Sequence, residues 1–386
     1  MRIKKWHLFA FVIVLFVVSF FVVNLKFDKF YRVNGINNDN RVLIETYLDE
    51  DEQKYLVENQ VPIEEFIKYI EIDDFKLQNY QYYNLLKNSS RYKSNTKVID
   101  IGNNLATRLE FLYDDPLDKA TVLIEKGLEN AFMNNESFNF NYINFYEMLK
   151  DIYPSGDYSY INEVPTYIKK LELYGIKSTD ELEETMKMLC TAYTSDSLNK
   201  LMYKRYDEKI NIVYNPYEFT TIVNEYNYIG EYSPKELLLT QNLPRVRYSM
   251  YLQKDAYQAL VKMYQDLSEN YDKFLLVEAY ESYDALSKKD NKKAGYEESQ
   301  LGLTVCISQS ELAYSQFEQT EMSDWLQQHA HEYGYVLRYP KNKASVTNHS
   351  YDAHTYRYVG KTLAKTLYEN NLTLEEYVTH HLNTEE

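Results

Sequence analysis

Residues 8–23 form an uninterrupted apolar run, LFAFVIVLFVVSFFVV, in which Ser19 is the most polar side chain. With its flanking residues the run extends from His7 to Leu25, which reaches the lower end of the roughly 17–25 apolar residues that a helix needs to cross a bilayer. Inside a bilayer, where no water pairs with backbone groups, a single run of this kind folds as a helix. The sequence therefore predicts a transmembrane helix at residues 7–25.

The residues around this run predict its orientation. Arg2, Lys4 and Lys5 precede it, and the positive-inside rule keeps a basic flank in the cytoplasm. The run ends in Val-Val and continues into Asn-Leu-Lys, and this segment lacks the small-x-small site of a cleaved secretory signal. We therefore expect a cytoplasmic tail at residues 1–6, an uncleaved signal anchor, and a single-pass membrane protein whose C-terminal part is extracytoplasmic.

The overall composition narrows the possible partners. The 386 residues are 45% hydrophobic, which is typical of a globular protein, and 41 of them are tyrosine. A formal charge of −16 repels phosphate backbones, so we expect no nucleic acid partner. Cys190 and Cys306 fit no metal-binding spacing. The sequence leaves open whether they form a disulfide, with buried free thiols the slightly favoured state.

Residues 26–210 have a helical pattern. Segments such as IEEFIKYIEI and TVLIEKGLENAFMNN place apolar residues at three- and four-residue steps, and Gly and Pro are scarce. We predict a tyrosine-rich, mainly helical extracytoplasmic region. It contains no histidine and only one cysteine, so contacts or spacing are expected of it more than chemistry.

The pattern changes near residue 210, and residues 211–386 are predicted to form a second domain. Ser233-Pro234 could open a helix. Short strand-like runs then alternate with helical segments, which predicts an α+β domain. The expected strands are 210–214, 274–280, 301–307 and 335–340, and the expected helices are 251–270, 321–334 and 372–381.

Several blocks of this region, in the same order, follow the pattern of one protein family. They are YLQKDAYQALVKM, AGYEESQLGLTVCI, WLQQHAHEYGYVLRYPKNK, SYDAHTYRYVG and ENNLTLEEY. Residues 211–383 thus resemble the VanY-type D-alanyl-D-alanine carboxypeptidases of the LAS zinc metallopeptidases, which trim the terminal D-alanine from peptidoglycan stem peptides. The resemblance implies a small antiparallel sheet with helices around it.

The resemblance also implies a zinc site built from a His, an Asp and a second His, with a Glu as base. At the three ligand positions this chain has Ser299, Cys306 and Thr355, and Asp352 stands at the base position. Hydroxyl groups are poor zinc ligands at neutral pH, and a single thiol would bind alone. We therefore expect neither zinc nor another metal cofactor. His354, next to the last position, could rebuild a site with Cys306 only if the strand slipped by one residue.

The substrate pocket is altered as well. Its equivalent residues are Tyr280, Glu281, Ser282 and Arg357, and Glu281 stands where the resemblance implies an arginine that grips the terminal carboxylate of the peptide. This exchange replaces attraction by repulsion. We refer to the Glu281 position as the clamp position.

Three functions fit these residues. In the first, the protein is a catalytically inactive, membrane-anchored binding module whose partner is a peptidoglycan stem peptide or another envelope protein. In the second, it is an active peptidase of peptidoglycan metabolism with an altered metal site. In the third, residues 40–210 form the interaction surface and the C-terminal domain is a passive platform.

Overall fold

The computed structural model describes residues 5–27, 29–30 and 33–382. Most of the predicted cytoplasmic tail, residues 1–4, lies outside the described residues. The chain divides into two compact units, Met1–Phe140 and Asn141–Glu386. The predicted domain boundary at residue 211 falls inside the second unit and stays a prediction.

Helix α1, Lys5–Phe27, contains the apolar run. The window Trp6–Val23 is long and apolar enough to cross a membrane, and none of it is buried against the rest of the chain. By length and composition alone, the helix fits either a membrane anchor or a signal sequence.

The first unit is helical, as the sequence predicts. Local capping explains several boundaries: Asp49 and Glu52 form a capping box at the start of α3, and Gly127, in the left-handed conformation, ends α7. Buried apolar residues such as Ile44, Leu56 and Phe66 form one core cluster. After α1, the helices of this unit are α2 Asn38–Tyr47, α3 Glu50–Glu58, α4 Ile63–Phe66, α5 Tyr80–Asn88, α6 Asn95–Leu112, α7 Pro116–Lys126 and α8 Glu129–Asn134.

The second unit begins with four helices and continues into a mixed region. The helices are α9 Ile143–Leu149, α10 Tyr160–Leu173, α11 Thr179–Ala192 and α12 Ser195–Tyr203. Two short strand pairs follow, parallel β1 Asn211–Ile212 with β2 Asn227–Tyr228 and antiparallel β3 Leu237–Leu239 with β4 Tyr251–Gln253. The helix expected at Ser233-Pro234 is wrong, because Leu237–Leu239 pairs with β4 and this tertiary pairing overrides the local signal.

The predicted α+β fold is confirmed by a four-stranded antiparallel sheet in the order β5-β6-β8-β7. Its strands are β5 Phe274–Glu278, β6 Thr304–Gln309, β7 Tyr335–Tyr339 and β8 Asp352–Tyr358. The remaining helices are α13 Lys254–Ser268, α14 Tyr283–Leu286, α15 Glu321–His329, α16 Ala344–Thr347, α17 Lys361–Glu369 and α18 Leu374–Leu382.

A buried group of four charged residues, here called the ion quartet, connects this sheet to a 3-10 turn and to α18. Glu298, on the turn Glu298–Leu301, accepts from Arg338 Nε on β7 at 2.9 and 3.0 Å and lies 3.3 Å from Arg357 Nη1 on β8. Glu375, on α18, completes the group by accepting from Arg338. The two positive and two negative charges balance, which is what allows them to be buried.

Candidate functional site

Two of the three predicted ligand positions lie opposite each other on the sheet. Cys306 on β6 pairs with Thr355 on β8, and on the other side Cys306 pairs with Glu278 on β5. Side chains of directly opposed residues project from the same face, with Cβ atoms roughly 4.5–5.5 Å apart. The structure therefore brings Glu278, Cys306 and Thr355 together in one row across the sheet.

The carboxylate of Asp352, at the predicted base position, is held by its own strand. Its Oδ2 accepts from the Thr355 hydroxyl at 2.5 Å, and its Oδ1 accepts from the main-chain N–H of His354 at 2.9 Å. The carboxylate of Asp352 and the hydroxyl of Thr355, which stand at two predicted site positions, are thus hydrogen-bonded to each other.

Cys306 carries a buried thiol. Its Sγ lies 3.3 Å from the hydroxyl oxygen of Tyr314, which is half exposed. Burial raises the pKa of Cys306 to about 12, the nearby carboxylates of Glu278 and Asp352 act in the same direction, and the Tyr314 hydrogen bond only partly opposes them. At neutral pH this side chain is a thiol and not the thiolate that binds metals or attacks substrates. Both cysteines of the chain are free.

Ser299, the remaining predicted ligand position, lies on the turn fixed by the ion quartet. Its Oγ is buried and has no hydrogen-bond partner among the described residues. Its carbonyl oxygen accepts from the main-chain N–H of Glu281 at 3.3 Å. The turn thereby places the first predicted ligand position beside the clamp position.

These side chains do not fit zinc. Two hydroxyls and a thiol with a raised pKa are not the imidazole and carboxylate donors that catalytic zinc takes. Both ring nitrogens of His354 face main-chain oxygens, Nδ1 at 2.9 Å from Ile307 and Nε2 at 3.0 Å from Tyr314. Within residues 5–27, 29–30 and 33–382, no group of three or more His, Cys, Asp and Glu side chains could hold a metal ion.

Glu281 lies in a more positive environment than the sequence indicates. Its side chain is only 6% exposed, and Oε1 accepts from Lys289 Nζ and lies 3.5 Å from Arg247 Nη2. The expected repulsion of a substrate carboxylate is therefore opposed by two cations, and the three residues together carry a charge of +1. Sequence reasoning missed Arg247 and Lys289. The only signal was the basic run KKDNKK in the segment after α14.

The other predicted pocket residues have structural contacts. The Tyr280 hydroxyl lies 3.3 Å from Ser233 Oγ, and Ser282 Oγ caps α14 by accepting from Ala285 N at 3.2 Å. Arg357 is fully buried in the ion quartet, and its Nη2 also donates to the Thr221 carbonyl at 3.0 Å. The structure thus places Arg357 within the scaffold, and a direct part in substrate binding stays a prediction.

Comparison with known proteins shows the family of this chain. Residues 249–361 match the family model of VanY, D-alanyl-D-alanine carboxypeptidase. The protein YodJ of Bacillus subtilis, which is named as a carboxypeptidase, is 32% identical over 194 residues, covering 44% of this chain and 70% of YodJ. A D-alanyl-D-alanine carboxypeptidase of Enterococcus faecium is 28% identical over 138 residues, covering 34% of this chain and 45% of the relative.

Among solved structures, the LdcB LD-carboxypeptidase is 30% identical in sequence, with a TM-score of 0.41. The match covers 45% of this chain and 92% of LdcB. The assignment rests on the sequence relatives, of which YodJ is covered over more than two thirds of its length. The predicted resemblance is confirmed, and the chain belongs to the VanY D-alanyl-D-alanine carboxypeptidase family.

Proposed function

We propose that this protein is an inactive member of its family, anchored in the cell membrane, that binds peptidoglycan stem peptides outside the cell without hydrolysing them. The observation that carries the proposal is the set of side chains at the three predicted ligand positions, Ser299, Cys306 and Thr355. A zinc peptidase needs a metal to lower the pKa of water from about 15.7 to about 7. The donors for that metal are missing.

The base position supports the same conclusion. Asp352 retains a carboxylate, but the hydroxyl of Thr355 and the N–H of His354 already donate to its two oxygens. A base whose two oxygens are hydrogen-bonded in this way, beside side chains that are poor metal ligands, lacks an activated water to deprotonate. The alternative of an active enzyme with an altered metal site would need Cys306 and His354 as ligands, and both ring nitrogens of His354 face main-chain oxygens.

Binding of a stem peptide is supported by the charges at the clamp position. Arg247 and Lys289 supply two positive charges against the one negative charge of Glu281, so the group has the same net charge as a single arginine. Arg247 is 55% exposed and Lys289 is 35% exposed, which leaves N–H donors accessible to a peptide carboxylate. Relatives of the chain are named as D-alanyl-D-alanine carboxypeptidases, which act on such termini.

The location outside the cell rests on α1 and its flanks. The helix is apolar enough to cross a membrane, and the basic residues before it favour a cytoplasmic N terminus. Protease treatment of intact spheroplasts tests this: an epitope at the C terminus should be digested and one at the N terminus protected. If the protein is anchored, the membrane fraction should contain the full-length chain with its N terminus intact; a chain that begins after α1 would indicate a cleaved signal.

The catalytic proposal is tested with full-length protein in detergent. After dialysis, metal analysis should find far less than one zinc per chain, and a pentapeptide stem ending in D-Ala-D-Ala should release no D-alanine. The same peptide should bind in isothermal titration calorimetry. Zinc near one equivalent, together with D-alanine release that a chelator abolishes, would establish the active alternative.

Variants at the clamp position test the binding half. The Arg247→Met and Lys289→Met changes should each weaken peptide binding about tenfold, which corresponds to about 1.4 kcal/mol for a lost charged contact. Lys288→Met, in the same basic run, is the matched control and should leave the affinity unchanged. Absence of peptide binding to the unaltered protein would refute stem-peptide recognition.

A further inference from the structure

A cleft in the Asn141–Glu386 unit, lined by other residues than the site described above, has a volume of about 700 Å³. The segment after α12 forms one wall, with Lys204, Arg205 and Tyr206, and the loop before the Glu298 turn forms the other, with Lys293 and Tyr296. We call it the tyrosine–lysine cleft. None of the predicted ligand or pocket residues lines it.

The cations of this cleft form no ion pair with any acidic residue that the structure describes. In the part of the chain that the structure describes, no carboxylate lies within ion-pair distance of Lys204, Arg205 or Lys293. Two acidic residues also line the cleft, but Asp207 Oδ1 accepts from the main-chain N–H of Lys209 at 3.0 Å. Three positive against two negative side chains make the lining net positive in a chain whose formal charge is −16.

Aromatic rings lie directly beneath these charges. Lys293 Nζ is 4.0 Å from the ring centre of Tyr296, and Lys204 Nζ is 4.5 Å from that of Tyr228. The two rings pack against each other, with centres 4.7 Å apart. An ammonium group that rests on one ring face keeps further N–H donors for a ligand.

Behind the cleft lies another cation. Lys170 is 7% exposed, its Nζ donates to the carbonyl of Lys204, and it lies 5.6 Å from the ring centre of Tyr174. Burial lowers the pKa of Lys170 and the charge of Lys204 lowers it further. Lys170 thus adds a fourth positive charge to a corner where two acidic side chains line the cleft, and an anion bound in the cleft would offset the excess.

We propose that the tyrosine–lysine cleft binds an anionic saccharide, meaning a sugar ring that bears a phosphate or a carboxylate. Lys204, Arg205 and Lys293 hold the anion, and the exposed ring of Tyr206, with the ring edge of Tyr296 beside it, contacts the sugar. Unpaired cations select the charge, while the volume and the rings select a ligand larger than a free ion. The cleft and the proposed stem-peptide site share no residue, so variants can change one without removing a side chain of the other.

Isothermal titration calorimetry of full-length protein, in a detergent without a sugar headgroup, tests the proposal with four probes. Glucose 1-phosphate, glucuronic acid, glucose and inorganic phosphate separate the contributions of the ring and of the two kinds of anion. Glucose 1-phosphate or glucuronic acid should bind at least tenfold more tightly than glucose, and glucose 1-phosphate at least tenfold more tightly than inorganic phosphate. Equal affinity for inorganic phosphate and glucose 1-phosphate, or no binding of either anionic sugar, would overturn the proposal.

Variants locate the binding. Lys204→Met and Lys293→Met should each weaken binding of the anionic sugar about tenfold, and Tyr296→Ala should weaken sugar phosphate more than inorganic phosphate. Lys209→Met is the matched control, because Lys209 belongs to the same segment as Lys204 but does not line the cleft. Lys293 lies on an exposed loop, so its variant keeps the test open if the Lys204 variant fails to fold. Unchanged affinity in both lysine variants would place the binding elsewhere and refute the assignment.

Discussion

Replacing Glu298 by glutamine removes the one carboxylate that contacts both arginines of the ion quartet. Arg338 keeps Glu375, but Arg357 keeps only main-chain carbonyls, because its Nη1 has no other partner among the described residues. Glu298 and the two arginine side chains are at most 5% exposed, so water cannot replace the lost charge. Removing one partner of such a buried pair costs about 3–5 kcal/mol, and we expect this loss in the free energy of unfolding at pH 7.

The pH dependence provides a second test of the same variant. Burial alone would raise the pKa of Glu298, but Arg338 and Arg357 outweigh it and hold this pKa below its ordinary value of 4.5. A lowered folded-state pKa contributes stability above the ordinary value, and this contribution is lost as the pH falls through the lowered one. The difference between wild type and variant should therefore be full at pH 7 and shrink in acid below pH 4.5.

Guanidinium unfolding followed by the fluorescence of Trp325 measures this difference. Trp6, the second tryptophan, is replaced by phenylalanine in both proteins so that the signal reports the Asn141–Glu386 unit. Glu311→Gln is the control, because its pair with Lys273 is exposed, and it should leave the midpoint unchanged. A loss below about 1 kcal/mol in Glu298→Gln, or a difference that does not shrink in acid, would refute the role given to the ion quartet.

Three further predictions concern the candidate site. Ser299→His, Cys306→Asp and Thr355→His combined should give a protein that retains about one zinc per chain after dialysis, measured by metal analysis; a correctly folded triple variant without zinc would show that these positions do not converge. Burial raises the pKa of Cys306 to about 12 from 9.0, so in a variant whose other cysteine is changed to serine the folded protein should react with a thiol reagent at pH 8 about a thousandfold more slowly than the unfolded chain. The rate of the folded protein should rise with pH, and equal rates for the folded and unfolded chains would contradict this burial. Lys289→Met leaves the buried carboxylate of Glu281 with only the longer contact to Arg247, and it should lower the free energy of unfolding by about 1–3 kcal/mol in denaturant titration. Lys288→Met is the control and should have no effect; equal losses in the two variants would show that the Lys289–Glu281 pair contributes nothing to stability.

Much of the fold could be predicted from local pattern. Runs such as FLLVE and YVLRY, which form β5 and β7, are short and mostly apolar or aromatic, so that their strand propensity agrees with their final burial. Gly334 and Pro340 bound the second run. The expected helix at 251–270 is also confirmed, although its first residues form β4. At Ser233-Pro234 the local helix signal lost to a strand pairing with a partner more than ten residues away, which no local pattern encodes.

The candidate site was less predictable, because the charged partners of its residues are distant in the sequence. The resemblance indicated which positions to inspect, but Glu281 alone suggested repulsion. Its partners Lys289 and Arg247 are 8 and 34 residues away, and no periodicity connects them. The hydrogen bond between Asp352 and Thr355 could not have been anticipated, because residues three apart on a regular strand lie roughly 10 Å apart and point to opposite faces. The pairing of β7 with β8 is irregular here, between Leu337 and Tyr339, and departs from that geometry. Which of their atoms meet depends on the backbone at the start of β8.

The ion quartet has a consequence for where the protein can persist. Many metalloproteins gain part of their folding free energy from the ion they bind, and they lose it when the surroundings are depleted of that ion. Here the turn that carries Ser299 is fastened to the sheet by Glu298, Arg338 and Arg357, all supplied by the chain itself. If the proposed absence of zinc holds, scarcity of zinc in the medium should leave this part of the molecule intact.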